Sequence, residues 1–284
     1  MQLFLIAFFL ILVLGLLAAA VQERARALLR AKRRAIWLVP AALTLLFAAV
    51  LGVRTPFVAL AAVYLFVPTA LVYFGRRPWL DFTAILLLWL PVEFAAGRDL
   101  LPRSAWGVAN LTARGASIVL ALALFLLYRE MKGMKYNLPS RWTDLAYPAL
   151  AFAAAAPVLI ALGLWMGYMG PYRASPYGPA GFALLWGKTL LGVAIPEELL
   201  FRALIQNWLM QRFGFSHRTL FAAALIFGAS HLNNGPGPLP NWRYLILATI
   251  AGFVFGKVFW KSSTILSSAS LHALVNSVRH AFFL

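Results

Sequence analysis

Ten apolar runs recur along this chain and constrain it more than any other feature. About 30 Å of hydrocarbon is crossed by roughly 20 apolar residues rising 1.5 Å each, and most of these runs approach that length. They cover Leu3 to Ala20, Ile36 to Gly52, Phe57 to Phe74, Leu80 to Ala96, Asn110 to Tyr128, Asp144 to Tyr168, Gly181 to Met210, Thr219 to Leu232, Arg243 to Trp260 and Thr264 to Leu284. The expected fold is therefore all-α: a polytopic transmembrane helical bundle of about ten spans, eight at the fewest. The seventh run is long enough to extend beyond the bilayer. The eighth is short and stops before the Gly- and Pro-rich stretch Asn233 to Asn241.

Composition agrees with that reading. Hydrophobic residues make up 63% of the 284 residues and charged ones 12%, a balance that would leave large sticky patches on a water-soluble body. With no cysteine, thiol chemistry and thiolate metal sites are excluded. The 25 Lys and Arg stand against 8 Asp and Glu. Such an excess can signal nucleic acid, but in a membrane protein basic residues gather in cytoplasmic loops. When ten spans are threaded with the N-terminus outside, 16 of the 25 fall in inner loops, led by Arg24, Arg26, Arg30, Lys32, Arg33 and Arg34. Arg54, Arg98, Arg103, Arg114, Arg173 and Arg243 fall outside. Orientation thus explains the charge without nucleic acid. The pattern favours a multi-pass membrane protein with its N-terminus outside, in contact with the lipid bilayer, and it says nothing of oligomeric state.

With so few acids, those at membrane depth stand out, since each ionisable group there costs about 2.5 to 3.5 kcal/mol on insertion scales. Glu197 and Glu198 are adjacent inside the seventh run, after Pro196. Glu198 and Arg202 are spaced i, i+4 with the acid first, the favourable order for an ion pair on a helix. Glu197 is rotated about 100° away and is left to face another helix or a cavity, as a candidate general base. A buried packing ion pair explains the Glu-Glu-x-x-x-Arg string equally well.

Two more polar pairs follow at helical spacing: Phe227 with His231, and His272 with Asn276. A lone membrane histidine is more often an interhelical hydrogen-bonder than a catalyst. Here two of only four histidines sit on segments near the buried carboxylates. His217 lies in a basic loop and His280 near the chain end, where anchoring is the better reading. Ser230 precedes His231, but sequence adjacency does not make a nucleophile–base pair.

The ordered set Glu197-Glu198-x-x-x-Arg202, Phe227-x-x-x-His231 and His272-x-x-x-Asn276 resembles the CPBP family, the CAAX-processing and bacteriocin-processing intramembrane proteases, also called the ABI family. The likeness covers roughly Trp186 to Phe283 and departs from the usual pattern at Ala203, where glycine is common. It implies a helical bundle with a cavity opening into the membrane and an intramembrane endopeptidase of the glutamic type. By the same likeness Glu197 and His231 activate water, His272 and Asn276 form the oxyanion hole, and Glu198, Arg202 and Phe227 support the site. Residues 141–284 are then the catalytic membrane domain, and residues 1–140 an N-terminal extension and the start of the bundle. The implied partner is a membrane-embedded or membrane-associated peptide or protein.

Three alternatives stay open. Glu197, His231 and His272 could hold a catalytic zinc, although no His-Glu-x-x-His string preorganises two ligands. The same buried charges could serve a transporter-like relay. A non-catalytic scaffold or immunity protein could retain the fold. No cofactor is favoured.

Overall fold

The computed structural model describes residues 1–52, 56–235 and 238–283. Arg54, two positions of the Asn233 to Asn241 stretch, and Leu284 at the end of the tenth run lie outside the described residues. Every described secondary-structure element is helical, as the apolar patterning requires. The chain divides into two compact units, Met1–Lys132 and Gly133–Leu284.

In the first unit, α1 (Gln2–Gly15) and α2 (Ala19–Ala31) form a pair bent by 87°. A 3-10 turn, Arg33–Trp37, leads into α3 (Leu38–Leu51). Then come α4 (Pro56–Phe74), α5 (Pro78–Glu93) and α6 (Arg103–Ala121), which runs on as a π-helical stretch, Leu122–Tyr128. Helix α6 packs on α1 and α3. Gly115 makes the α1 contact possible, because a Cβ there would overlap the Phe9 ring.

The basic cluster after α1 is more than an orientation signal. Arg26 donates to the Leu126 carbonyl (3.2 Å), and Arg30 pairs with Glu130 (2.6 Å) and Glu23 (3.1 Å). Arg33 donates to the Tyr128 hydroxyl at 2.7 Å. These bonds fasten α2 and the turn after it to the end of the α6 stretch. The Arg30 guanidinium, bonded to Glu130, holds that carboxyl below the usual carboxylate range.

The second unit holds α7 (Thr143–Trp165), a long helical segment Pro179–Phe213, α11 (His217–Ala229), α12 (Trp242–Lys261) and α13 (Ile265–Phe282). The long segment is built of α8 (Pro179–Thr189), α9 (Ile195–Glu198) and α10 (Asn207–Phe213), joined by π-helical stretches at Leu190–Ala194 and Leu199–Gln206. Helix α12 is central and packs on α7, α11 and α13.

Small residues set those approaches, as expected where van der Waals packing drives association of membrane helices. A Cβ at Gly252 would come within 2.7 Å of the Phe227 ring, and one at Gly228 within 2.7 Å of the Leu245 carbonyl oxygen. The far end of α12 is closed by Lys135, whose Nζ donates to the carbonyls of Phe259 (2.8 Å), Trp260 (3.0 Å) and Ser262 (2.8 Å). Nearby, Asp144 at the start of α7 accepts from the backbone of Ser140, Arg141 and Ser263, which ties α7 to the α12–α13 turn.

All ten apolar runs are helical, yet fewer than ten are long and apolar enough to cross a bilayer. Among the described residues six qualify, or seven if the bent α1–α2 pair is one span. Helices α5 (16 residues) and α11 (13 residues) are too short. Helix α13, at 18 residues, is too polar: Ser267, Ser268, His272 and Ser277 are buried among its neighbours. The polytopic bundle stands, with a lower span count.

Candidate active site

Pro196 has no N–H to give the helix, and the backbone around it departs from regular α-helical turns on both sides. The four residues Ile195–Glu198 sit between the two π-helical stretches, a backbone form common at functional sites. This short turn carries both carboxylates, in different surroundings. Glu198 has no side-chain exposure, whereas the Glu197 side chain is 33% exposed.

Glu198 is shared between two cations or donors. Its Oε2 accepts from Arg202 Nε at 3.1 Å, and its Oε1 lies 3.1 Å from His272 Nδ1. Since carboxylate oxygens accept, Nδ1 carries a proton, and the other ring nitrogen is directed elsewhere. That nitrogen, Nε2, lies 3.7 Å from Glu197 Oε2, which is buried and has no hydrogen-bond partner among the described residues. The imidazole of His272 thus stands between two carboxylates, bonded to the buried one and facing the accessible one. Asn276, one turn further along α13 on the same face, makes no hydrogen bond among the described residues.

His231 ends α11. Its Nδ1 lies 2.8 Å from the Phe227 carbonyl oxygen and 3.1 Å from Ser230 Oγ. A carbonyl only accepts, so Nδ1 donates and a neutral ring leaves Nε2 as the acceptor nitrogen. Ser230 itself donates to the Phe227 carbonyl (2.8 Å), a local capping bond.

Phe227 is the packing centre of the site. Both imidazoles meet its ring in T-shaped fashion, His231 at 4.7 Å and His272 at 5.8 Å between centroids. The Arg202 guanidinium lies 4.6 Å from the same ring, and its two Nη atoms are buried without an acceptor among the described residues. The aromatic face and Glu198 together are what the buried cation has in place of water.

Glu197, Glu198, Arg202, Phe227, His231 and His272 therefore come together, with Asn276 on the His272 face. Among the described residues no three His, Asp or Glu side chains converge to hold an ion.

Sequence reading missed the aromatic walls. Phe255 stacks on His272 at 4.7 Å, and Tyr244 meets His231 at 4.5 Å in a T-shaped contact. In a chain with 22 Phe and 9 Tyr, these rings carry no local signal.

Residues 179–278 match the family model described as Type II CAAX prenyl endopeptidase Rce1-like. No curated protein matches, and no solved structure matches. That family implies CAAX intramembrane protease activity, hence a hydrolase with a membrane-associated protein substrate, and the apolar helices make the chain an integral membrane protein. The matched segment runs from α8 to the turn of α13 beyond Asn276 and contains all seven site residues, and in this part the chain is similar to the Rce1-like endopeptidases, consistent with the CPBP family.

Proposed function

We propose that the chain is a metal-independent intramembrane endopeptidase of the glutamic type. The observation that carries this reading is the ordered array of Glu198, His272 and Glu197, with Nδ1 of the imidazole held by the buried acid and Nε2 facing the accessible one. Amide hydrolysis needs a base beside a water, donors aimed at the developing oxyanion and an acid for the leaving amine.

Glu197 takes a proton from water while the water oxygen bonds to the scissile carbonyl carbon. His231, with its Nε2 lone pair, helps orient that water. The carbonyl π electrons move onto oxygen, where the Asn276 amide and His272, as an imidazolium that keeps its Nδ1–H on Glu198, through Nε2–H, donate to the oxyanion. Collapse reforms the carbonyl and breaks the C–N bond, and the amine leaves with the proton held by Glu197. Glu198 and Arg202 keep the His272 ring in place throughout, and Phe227 packs both imidazoles. The gap of 3.7 Å between His272 and Glu197 is wider than a hydrogen bond, as expected of groups that close on a reacting centre rather than on each other.

The same reading assigns catalysis to residues 141–284 and places the chain in a bacterial inner membrane with its N-terminus outside, supported by the basic cluster Arg24 to Arg34 that follows the first apolar run, before which no basic residue stands. The test is purified protein in detergent against an S-farnesylated peptide. Wild type is expected to cleave it, and Glu197→Gln and His231→Ala to remain folded and lose at least about a hundredfold in kcat. Unchanged cleavage by both variants would refute the assignment.

A further inference from the structure

At the end of the second unit where segment 166–173, the start of α12 and the end of α13 meet, the structure gathers positive charge. Arg243 Nη1 donates to the Gly167 carbonyl at 3.3 Å, and the Arg173 backbone N–H donates to the Phe282 carbonyl at 3.0 Å. Arg279 lies with its guanidinium 4.7 Å from the centre of the Tyr168 ring. Its Nε is buried and has no hydrogen-bond acceptor, and no carboxylate pairs with the side chain, among the described residues. A buried guanidinium N–H without an acceptor costs stability unless something else supplies one.

Arg279 is also connected to the site. Tyr168 stacks on Tyr244 at 4.9 Å, and Tyr244 packs on His231 at 4.5 Å. The Tyr244 phenol lies within electrostatic reach of both Glu197 and Arg279. On α13, Arg279 follows His272 by seven residues on the same face, about 10.5 Å along the axis. An extended peptide covers that distance in about three residues.

We propose that Arg279 binds a carboxylate of the peptide substrate, about three residues from the scissile bond, and so selects where along the substrate the cut falls. This rests on the protease reading above. The carboxylate has two possible sources, the substrate's main-chain terminus or an acidic side chain at that position. A planar guanidinium held against an aromatic ring suits either one, since two parallel N–H groups match two carboxylate oxygens.

The test measures binding apart from cleavage. Three fluorescein-labelled S-farnesyl-cysteine peptides with three residues after the cysteine serve as probes: a free acid, a C-terminal amide, and an amide whose last residue is Asp. Binding is followed by fluorescence anisotropy in the Glu197→Gln chain, with and without Arg279→Gln or Arg279→Lys. At least one carboxylate probe is expected to bind about tenfold or more tighter than the neutral amide. Preference for the free acid alone identifies the terminus as source, preference for the Asp amide alone identifies the side chain, and preference for both shows that charge suffices. Arg279→Gln brings the ratio to near one, and Arg279→Lys keeps part of it, with tryptophan-monitored melting confirming that both remain folded. Equal binding of all three probes, no binding of any, or a preference that survives Arg279→Gln overturns the proposal. Cleavage by the Glu197-containing chain is scored separately. Arg279-dependent binding without cleavage sinks the protease reading alone, and cleavage without carboxylate preference sinks the anchor alone.

Discussion

His272 Nδ1 lies 3.1 Å from Oε1 of Glu198, the carboxylate whose other oxygen takes the Arg202 Nε–H at the same distance. One buried acid therefore both neutralises a buried cation and fixes the orientation of an imidazole that faces Glu197.

Glu198→Gln is expected to do two kinds of damage. Without the negative charge the fully buried Arg202 is uncompensated, a loss of about 3 to 5 kcal/mol, and the single amide oxygen cannot accept from both Arg202 and His272, so the ring is held less firmly, a loss of about 10- to 100-fold in kcat. Thermal unfolding in detergent and turnover, measured on the same preparation, separate the two. A fully stable, fully active variant would contradict the shared role.

Phe227→Ala is expected to destabilise by about 3 to 5 kcal/mol, because its ring is buried against Arg202, His231, His272 and Phe201. Phe227→Leu retains part of the volume and recovers part of the stability. Neither residue restores the cation–π face, so Arg202 stays less well compensated in both. Chemical-denaturant or thermal melts of the two variants check this order.

Gly228→Ala is expected to weaken the α11–α12 contact and with it the position of His231. The new Cβ meets the Leu245 carbonyl oxygen at 2.7 Å as well as the Thr249 side chain. Removing the side-chain clash in Gly228→Ala/Thr249→Ala recovers only part of the loss, since the backbone oxygen remains. Melting of the single and double variants measures that fraction.

Chelation with EDTA or phenanthroline, followed by dialysis, is expected to leave cleavage within about twofold of the untreated rate, a difference of only about 0.4 kcal/mol in the barrier. The arrangement of side chains motivates this, because among the described residues no three His, Asp or Glu side chains come together to hold an ion. Stoichiometric zinc whose removal abolishes turnover would contradict it.

Glu130 gives a pH dependence. Its carboxyl is held below the usual range by the hydrogen bond and charge of Arg30, so its pairing stabilises the attachment of α2 above the unfolded carboxylate pKa. That contribution is lost as pH falls through the lowered folded value. Hydrogen exchange over Ala19–Ala31 is expected to show more protection in wild type than in Glu130→Gln at neutral pH, and equal protection once the acid is protonated. The pair is solvent-accessible, so high salt should shrink the difference.

Much of this site was legible in the sequence because its parts are local. Glu198 with Arg202, Phe227 with His231, and His272 with Asn276 are one-turn pairs, and helical periodicity alone puts each on one face. The bond between Glu198 and His272 joins residues 74 positions apart, and nothing in either segment names the other. The aromatic walls at Phe255 and Tyr244 were hidden for a different reason: in a chain with 22 Phe and 9 Tyr, ring identity carries little information without tertiary placement. Apolar runs located the helices other than the basic α2 but overstated the spans, since α5 and α11 end after 16 and 13 residues and the serines and histidines of α13 leave it too polar. The π-helical turns around Pro196 left no trace beyond the proline itself.

The central claim is that Glu197 drives hydrolysis of peptide bonds presented at the membrane. Its most direct test is comparative mass spectrometry of membrane peptides from cells carrying the wild-type chain and cells carrying Glu197→Gln at equal abundance. The account predicts a defined set of new peptide termini present only with the wild-type chain. The same termini in both cell populations would contradict it.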